Sequence, residues 1–221
     1  RDSSTSRGLG DVYKRQVLHI KNNLARKSNQ IVKRLFDVAA TIIGGICILP
    51  VLFIVAAWIY HDSPGPVLYK HRRIGKNGKE FDCYKFRSMC VNSQEVLEEL
   101  LASDPAAKEE WDRDFKLKND PRITRSGAFL RKTSLDELPQ LINVLKGEMS
   151  LVGPRPIIKA EMERYGEYIN DYLMVKPGIT GMWQVSGRND IDYTERVLLD
   201  SWYVRNWSIW IDLVMLFKTI A

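Results

Sequence analysis

The chain carries 221 residues, 45% of them hydrophobic, with a formal net charge of +6 at pH 7, which allows one or two domains and a sizeable core. Cys47, Cys83 and Cys90 fit no metal-ligand spacing and cannot all pair; this excludes a disulfide framework or thiolate metal site and fits reduced thiols in a cytosolic setting. The basic balance suits a phosphate-bearing or membrane-surface partner, without choosing between them.

Residues 1–16 form a Ser/Gly/Arg-rich tail without apolar periodicity. Asp11-Val12-Tyr13-Lys14-Arg15-Gln16 back-translates to a nucleotide string that resembles a transposon adapter used in sequencing libraries, so this stretch is set aside from fold reasoning, as a fusion scar would be. An ordinary disordered tail is the alternative. On the adapter reading the natural chain starts near Val17, and the stop at Thr219-Ile220-Ala221 inside an apolar stretch marks a fragment.

Residues 17–32 read as a basic connector with Lys21, Arg26 and Lys27. Lys33-Arg34-Leu35-Phe36-Asp37 then leads into an uncharged run from Val38 to Tyr60. At about 1.5 Å per residue this run is long enough to cross a hydrocarbon core about 30 Å thick. Pro50 lies mid-run, where it removes a helical hydrogen bond and favours a kink. Both flanks are basic, with Lys33 and Arg34 before and Lys70, Arg72 and Arg73 after. The positive-inside tendency would keep both ends on the cytoplasmic face. A Pro-broken re-entrant helix over 33–66 is therefore expected in preference to a kinked full span.

Residues 67–221 are expected to form the cytoplasmic domain. Val67 to Lys70 and Phe81 to Arg87 read as strands joined through Asn77-Gly78, a hairpin signal. Arg72, Arg73, Lys85 and Arg87 would present a cationic wall or, more plainly, a solvated edge. Ser93 should cap a helix through Leu101, and Asp104-Pro105 should start another through about Lys116. Within it Asp112-x-Asp114 is similar to a glycosyltransferase motif, although a solvated helix face is the simpler reading. A short helix from Gly127 ends at Arg131.

In Thr133-Ser134-Leu135-Asp136-Glu137-Leu138, Ser134 and Glu137 have capping-box spacing. A helix should run from Leu135 to Lys146-Gly147 with Leu138, Leu141, Ile142 and Leu145 on its apolar stripe. Asp136 would then sit at the positive helix end and stay ionised. That suits a nucleophile or metal ligand, and equally an ordinary cap.

Gly153-Pro154-Arg155-Pro156 fixes a single arginine in a rigid loop, suited to phosphate or to a merely structural turn. Residues 165–172 read as a helix, 175–189 as a loop containing Arg188, and 192–203 as a helix containing Asp200. Trp202, Tyr203, Trp207 and Trp210 crowd before an apolar segment over 209–220, as in an amphipathic helix lying at a membrane interface. His19, His61 and His71 all fall outside the motif-rich region, and no Ser–His–Asp set is present. Phosphoryl-type chemistry is favoured over acyl transfer.

Six stretches in order carry a resemblance: Lys33-Arg34-x-x-Asp37, Lys85-Phe86-Arg87-Ser88-Met89, Asp120-Pro121-Arg122-Ile123-Thr124, Asp136-Glu137, Gly153-Pro154-Arg155-Pro156 and Pro177-Gly178-Ile179-Thr180-Gly181. Together they resemble the monotopic polyprenyl-phosphate phosphoglycosyl transferases, the bacterial sugar transferase family. Trp183 to Asp190 is similar to the branch that transfers galactose phosphate to undecaprenyl phosphate. One departure is Leu49 before Pro50, where the family often has serine.

The resemblance implies an α+β fold, mostly helical, with a re-entrant membrane helix, a small β-hairpin and interfacial amphipathic helices around the site. It implies that Asp136 attacks the β-phosphate of a UDP-sugar and expels UMP, and that undecaprenyl phosphate then takes the sugar phosphate, starting exopolysaccharide, O-antigen or capsule synthesis. Glu137 would hold Mg2+ and Arg155 would bind phosphate, with Arg131, Lys85, Arg87, Arg188 and Asp200 as further site members. The implied setting is the cytoplasmic face of a bacterial inner membrane. The implied partners are UDP-sugar, undecaprenyl phosphate and the lipid bilayer, with no nucleic acid and with a homodimer left open. The alternatives are a glycosyltransferase that releases UDP and a non-catalytic membrane-anchored scaffold.

Overall fold

The computed structural model describes residues 23–114, 117–187 and 191–220. The adapter-like tail, the first part of the connector and Arg188 lie outside these residues. The fold is α+β and mostly helical, with two small two-stranded sheets and one long apolar helix.

That helix, α1 (Lys27–Asp62), carries Pro50 in its interior and continues on both sides of it. The expected helix–break–helix is thus a single helical run, because a proline withholds only its own N–H and its neighbours keep theirs. It is long and apolar enough to cross a membrane by length and composition. Among the described residues it is chiefly its two ends that are covered by protein. Lys33, Asp37 and Thr41 are buried near the start and Val55 and Ile59 near the end, whereas Ile42, Ile43, Ile46, Leu49, Val51, Phe53 and Ile54 are exposed.

Polar contacts stitch each end to the rest of the chain. Lys33 Nζ lies 2.6 Å from Asp212 Oδ2, and Asp37 Oδ2 accepts from Ser150 Oγ at 2.7 Å. Arg34 donates to the carbonyls of Val144 and Leu145 at the C-terminal end of a later helix, adding to the bond that Val144 already accepts from Gly147 N. At the far end Asp62 Oδ2 accepts from Ser126 N at 2.8 Å and Ser126 Oγ at 2.7 Å.

The hairpin forms where the alternation and Asn77-Gly78 place it, as β1 (Leu68–Ile74) and β2 (Glu80–Phe86). Asn77 has φ 59° and Gly78 φ 74°, left-handed conformations that Asn and Gly adopt most readily, in the turn between Ile74 and Glu80. The register pairs Tyr69 with Lys85, His71 with Cys83 and Arg73 with Phe81. With a side-chain period of two, these six residues share one face. Arg72 lies on the other face, beside Glu80 and Asp82, so the expected cationic wall is divided between two sides.

α2 (Ser93–Ser103) and α3 (Pro105–Asp114) follow. Asn92 rather than Ser93 occupies the capping position of α2, without a side-chain bond. Asp104 caps α3 through the N–H groups of Ala106 and Ala107. α4 (Arg125–Thr133) starts on Thr124, whose hydroxyl accepts from Gly127 N. Ser134 closes α4 at φ 58° and caps nothing with its side chain, so the expected capping box is absent.

Leu135–Glu137 is instead a 3₁₀ turn, and α5 (Gln140–Lys146) begins only after Pro139. In a 3₁₀ turn residues i and i+3 eclipse. Leu135 and Leu138 accordingly pack down together on the cluster of Val55, Ile59, Phe86 and Leu130. That burial fixes the turn and directs Asp136 and Glu137 to the other side. Gly147, at φ 83°, ends α5 as expected.

A second sheet, not anticipated from the sequence, pairs β3 (Ser150–Val152) in parallel with β4 (Gly178–Thr180). Between them a 3₁₀ stretch, Glu163–Tyr168, turns at Gly166 into α6 (Ile169–Met174), replacing the single helix expected there. α7 (Met182–Ser186) occupies part of the expected loop, bracketed by Gly181 and Gly187. α8 (Tyr193–Asn206) is capped by Asp192 through Glu195 N, and α9 (Ile209–Ile220) follows.

Candidate active site

The site is built on the 3₁₀ turn. Asp136 and Glu137 face the ammonium of Lys85 on β2, whose Nζ lies 2.7 Å from Glu137 Oε1 and 3.8 Å from Asp136 Oδ2. Arg131, on the last turn of α4, donates from Nε to Ser88 Oγ at 2.9 Å. Burial pushes the Asp136 carboxyl above its ordinary value; Lys85 opposes the shift, Glu137 adds to it, and Arg131 opposes it. The expectation that a helix end would favour the charged form is therefore reversed, because no helix starts at Asp136 and the side chain is largely taken from water.

Arg155 reaches the site from the loop after β3. Gly153 N donates to Thr180 O at 2.9 Å and Gly178 N donates to Pro154 O at 2.8 Å, pinning the loop on both sides of its first proline. A Cβ on Gly178 would lie 2.1 Å from Gly153 N, so only glycine admits this backbone approach. The following Ile157 is held by the hairpin, its carbonyl accepting from Ile74 N at 2.8 Å.

Two cavities meet at Asp136 and Arg131. One, of about 700 Å³, adds His71, Arg73, Lys85 and Arg87 and opens along Pro66 and Leu68 just beyond α1. The other, of about 420 Å³, adds Glu137, Arg155, Trp183, Gln184, Tyr193 and Arg196.

Of the residues singled out from the sequence, Asp136, Glu137, Lys85, Arg87, Arg131 and Arg155 line these cavities. Arg87 is 8% exposed and donates to the Ser63 carbonyl, with its Nε and Nη1 unpartnered. Asp200 lies beneath the site rather than lining it, accepting from Tyr165 Oη at 2.9 Å, and its burial raises the carboxyl to about 7. Pro50 lies on the uncovered middle of α1, away from both cavities. Asp112 is exposed and lines neither cavity.

Sequence reasoning missed His71 and Arg196, and named Arg73 only as part of a cationic wall. His71 was set outside the motif-rich region, yet its Nδ1 lies 3.3 Å from Arg73 Nη2. Burial lowers its pKa, with Arg73 and Lys85 adding to the effect and Glu161 opposing it, which favours the neutral ring. Strand alternation from Lys85 through the hairpin register would have found His71 and set it with Arg73 on the site face. Arg196 had no local signal.

A model described as bacterial sugar transferase matches residues 28–221. The chain belongs to that family. It is 60% identical over 203 residues to the undecaprenyl-phosphate galactose phosphotransferase of Salmonella typhimurium, covering 92% of this chain and 42% of that one. It is 51% identical over 188 residues to the exopolysaccharide production protein ExoY of Rhizobium meliloti, covering 85% and 83%. It is 42% identical over 200 residues to the UDP-glucose:undecaprenyl-phosphate glucose-1-phosphate transferase of Escherichia coli, covering 87% and 40%. The chain spans about two fifths of the length of the first and third of these relatives. In this chain the carboxylates, the loop arginine and the hairpin lysine, far apart in sequence, converge on one turn.

Proposed function

We propose that the protein transfers a hexose 1-phosphate from a UDP-sugar to undecaprenyl phosphate, releasing UMP, through a phosphohexose carried on Asp136. The observation that carries this reading is the pair Asp136–Glu137, raised on one turn between Lys85, Arg131 and Arg155. An Asp136 carboxylate oxygen bonds to the β-phosphorus, and the bond to the oxygen bridging to the α-phosphate breaks, freeing UMP. An oxygen of the lipid phosphate then bonds to that phosphorus, and the Asp136–phosphorus bond breaks. Splitting the transfer in this way replaces one difficult step by two easier ones. Burial makes the Asp136 carboxylate more basic while Lys85 counters its protonation, and the arginines offset the diphosphate charge.

A magnesium ion fits this donor set. Among the described residues no three acidic, His or Cys side chains cluster. Mg2+ commonly takes one or two carboxylates and completes its shell from phosphate and water. Glu137 would hold it, with Lys85 moving off Oε1. When bound, the ion would neutralise charge on the diphosphate.

A membrane setting is supported by α1. Asp37 and Asp62 are bonded to the same catalytic domain at positions about 37 Å apart along a straight helix. The uncovered apolar stretch between the docked ends, 42–54, is about 20 Å long, short of the roughly 30 Å hydrocarbon core. Both facts favour a helix that enters and leaves by one face, the cytoplasmic face of the inner membrane. The exposed Trp210, Val214 and Phe217 of α9 suit the interface beside it. Galactose is proposed as the sugar because relatives with galactose in their names reach 60% identity, against 42% for those with glucose.

The test is to incubate the detergent-solubilised protein with UDP-galactose, Mg2+ and undecaprenyl phosphate and to identify the nucleotide released. UMP is expected. UDP as the only product would refute the reading and favour a conventional glycosyltransferase.

A further inference from the structure

We infer that Arg196, held between the rings of Trp183 and Tyr193, is a binding residue for the diphosphate of the sugar donor. This rests on the function proposed above. The guanidinium carbon of Arg196 lies 4.9 Å from the Trp183 ring centre and 5.0 Å from that of Tyr193. Arg155 stacks on the same indole at 5.6 Å. Two guanidinium groups are thereby fixed on one aromatic plate, in the cavity that also holds Asp136 and Glu137.

The hydrogen-bonding balance of this cavity is incomplete. Arg196 is 8% exposed, yet its Nε and Nη2 have no partner, and the same holds for Trp183 Nε1, Gln184 Oε1 and Tyr193 Oη. Buried polar groups are nearly always paired, and leaving guanidinium N–H groups unpaired is costly. Five such atoms on four side chains around one cavity indicate a ligand that completes them. It must be anionic to answer the arginines, and it must carry donors and acceptors to answer Gln184 and Tyr193. A diphosphate bearing a hexose meets both needs. The planar guanidinium fork matches phosphate oxygens, and the flanking rings spare it the rotamer entropy of binding.

If Arg196 served the fold alone, removing it would lower stability and leave ligand affinity intact. If it binds the donor, ligand affinity falls whatever the change in stability, since its Nε and Nη2 have no partner without ligand, while its charge is already answered in part by Asp200. The experiment uses the full chain in detergent, with Asp136→Asn present throughout to prevent turnover. Binding of UDP-galactose is measured by calorimetry with and without Arg196→Met. The Met variant should weaken binding about tenfold or more, as loss of a charged hydrogen bond does. Arg196→Lys, which keeps the charge but loses the fork, should give an intermediate affinity.

Binding by Arg196→Met within twofold of the parent would overturn the inference. So would an unfolded Met variant together with a Lys variant that binds as the parent does. These results leave the proposed function standing if the unmutated protein still releases UMP. Release of UDP alone by the unmutated protein defeats the function, and this inference falls with it.

Discussion

Asp200→Asn should stabilise this protein, and by more at pH 8 than at pH 5.5. Asp200 is 2% exposed, and burial raises its carboxyl from 3.8 to about 7, against the opposing pull of Tyr165 and Arg196. With the folded pKa above the unfolded one, the folded chain holds the proton more tightly. The stability contributed by this group is therefore fully present below about pH 4, is lost as pH rises through the window to about 7, and is flat above it. At 1.36 kcal/mol per unit, the ionised side chain costs about 4 kcal/mol at pH 8 and about 2 kcal/mol at pH 5.5 relative to a neutral isostere. Asparagine keeps an oxygen for Tyr165 Oη and does not titrate. Whatever its constant offset, its advantage should grow by about 2 kcal/mol between the two pH values, or about 4–8 °C in thermal midpoint for a chain of this size. Far-UV circular dichroism melts of both proteins in the same detergent would show it. A gap that stays constant or narrows toward pH 8 would refute the reasoning.

Other outcomes follow from the same contacts. Gly178→Ala puts a Cβ 2.1 Å from Gly153 N and 2.5 Å from Thr180 O; thermal melts should show a loss of several kcal/mol, and assays a loss of activity through the Arg155 loop. Gly44→Ala, with nothing within 4 Å, should be silent in both measurements. Because Lys85 lowers the pKa of Asp136, Lys85→Met should move the acid limb of the kcat/KM profile to higher pH; a shift to lower pH would contradict the assignment. Lys33→Met leaves Asp212, 0% exposed, without its cation and should cost about 3–5 kcal/mol in chemical denaturation. Adding Asp212→Asn should recover part of that loss.

The hairpin turn was legible because Asn77-Gly78 can occupy φ above zero where most pairs cannot. The end of α5 at Gly147 was legible for the same reason. Ser134 misled because its capping signal is local, whereas the conformation is set by the burial of Leu135 and Leu138 on the end of α1, a contact across more than seventy residues. The carboxylates were found for a reason the structure replaces. They project into the site because a 3₁₀ turn eclipses the two leucines beneath them, not because a helix begins there.

The β3–β4 pair escaped notice because each strand has three residues and reads as Gly/Pro punctuation. Its role became visible only with the backbone approach of Gly153 and Gly178, which aims Arg155. Arg196 sits mid-helix in α8, and its local sequence carries no sign of the rings of Trp183 and Tyr193 on either side. The Lys33-Arg34-x-x-Asp37 motif reads as a basic membrane flank. In the structure it is the joint between α1 and the rest of the chain, with each of its three charged residues bonded to a different element.

The central claim is that Asp136 becomes covalently attached to the phosphohexose. Mass spectrometry of peptides from protein incubated with UDP-galactose and Mg2+, without lipid acceptor, tests it most directly. A hexose phosphate on Asp136, absent from Asp136→Asn, is the expected result. An unmodified Asp136 in protein that nevertheless releases UMP to full turnover when lipid is added would contradict it.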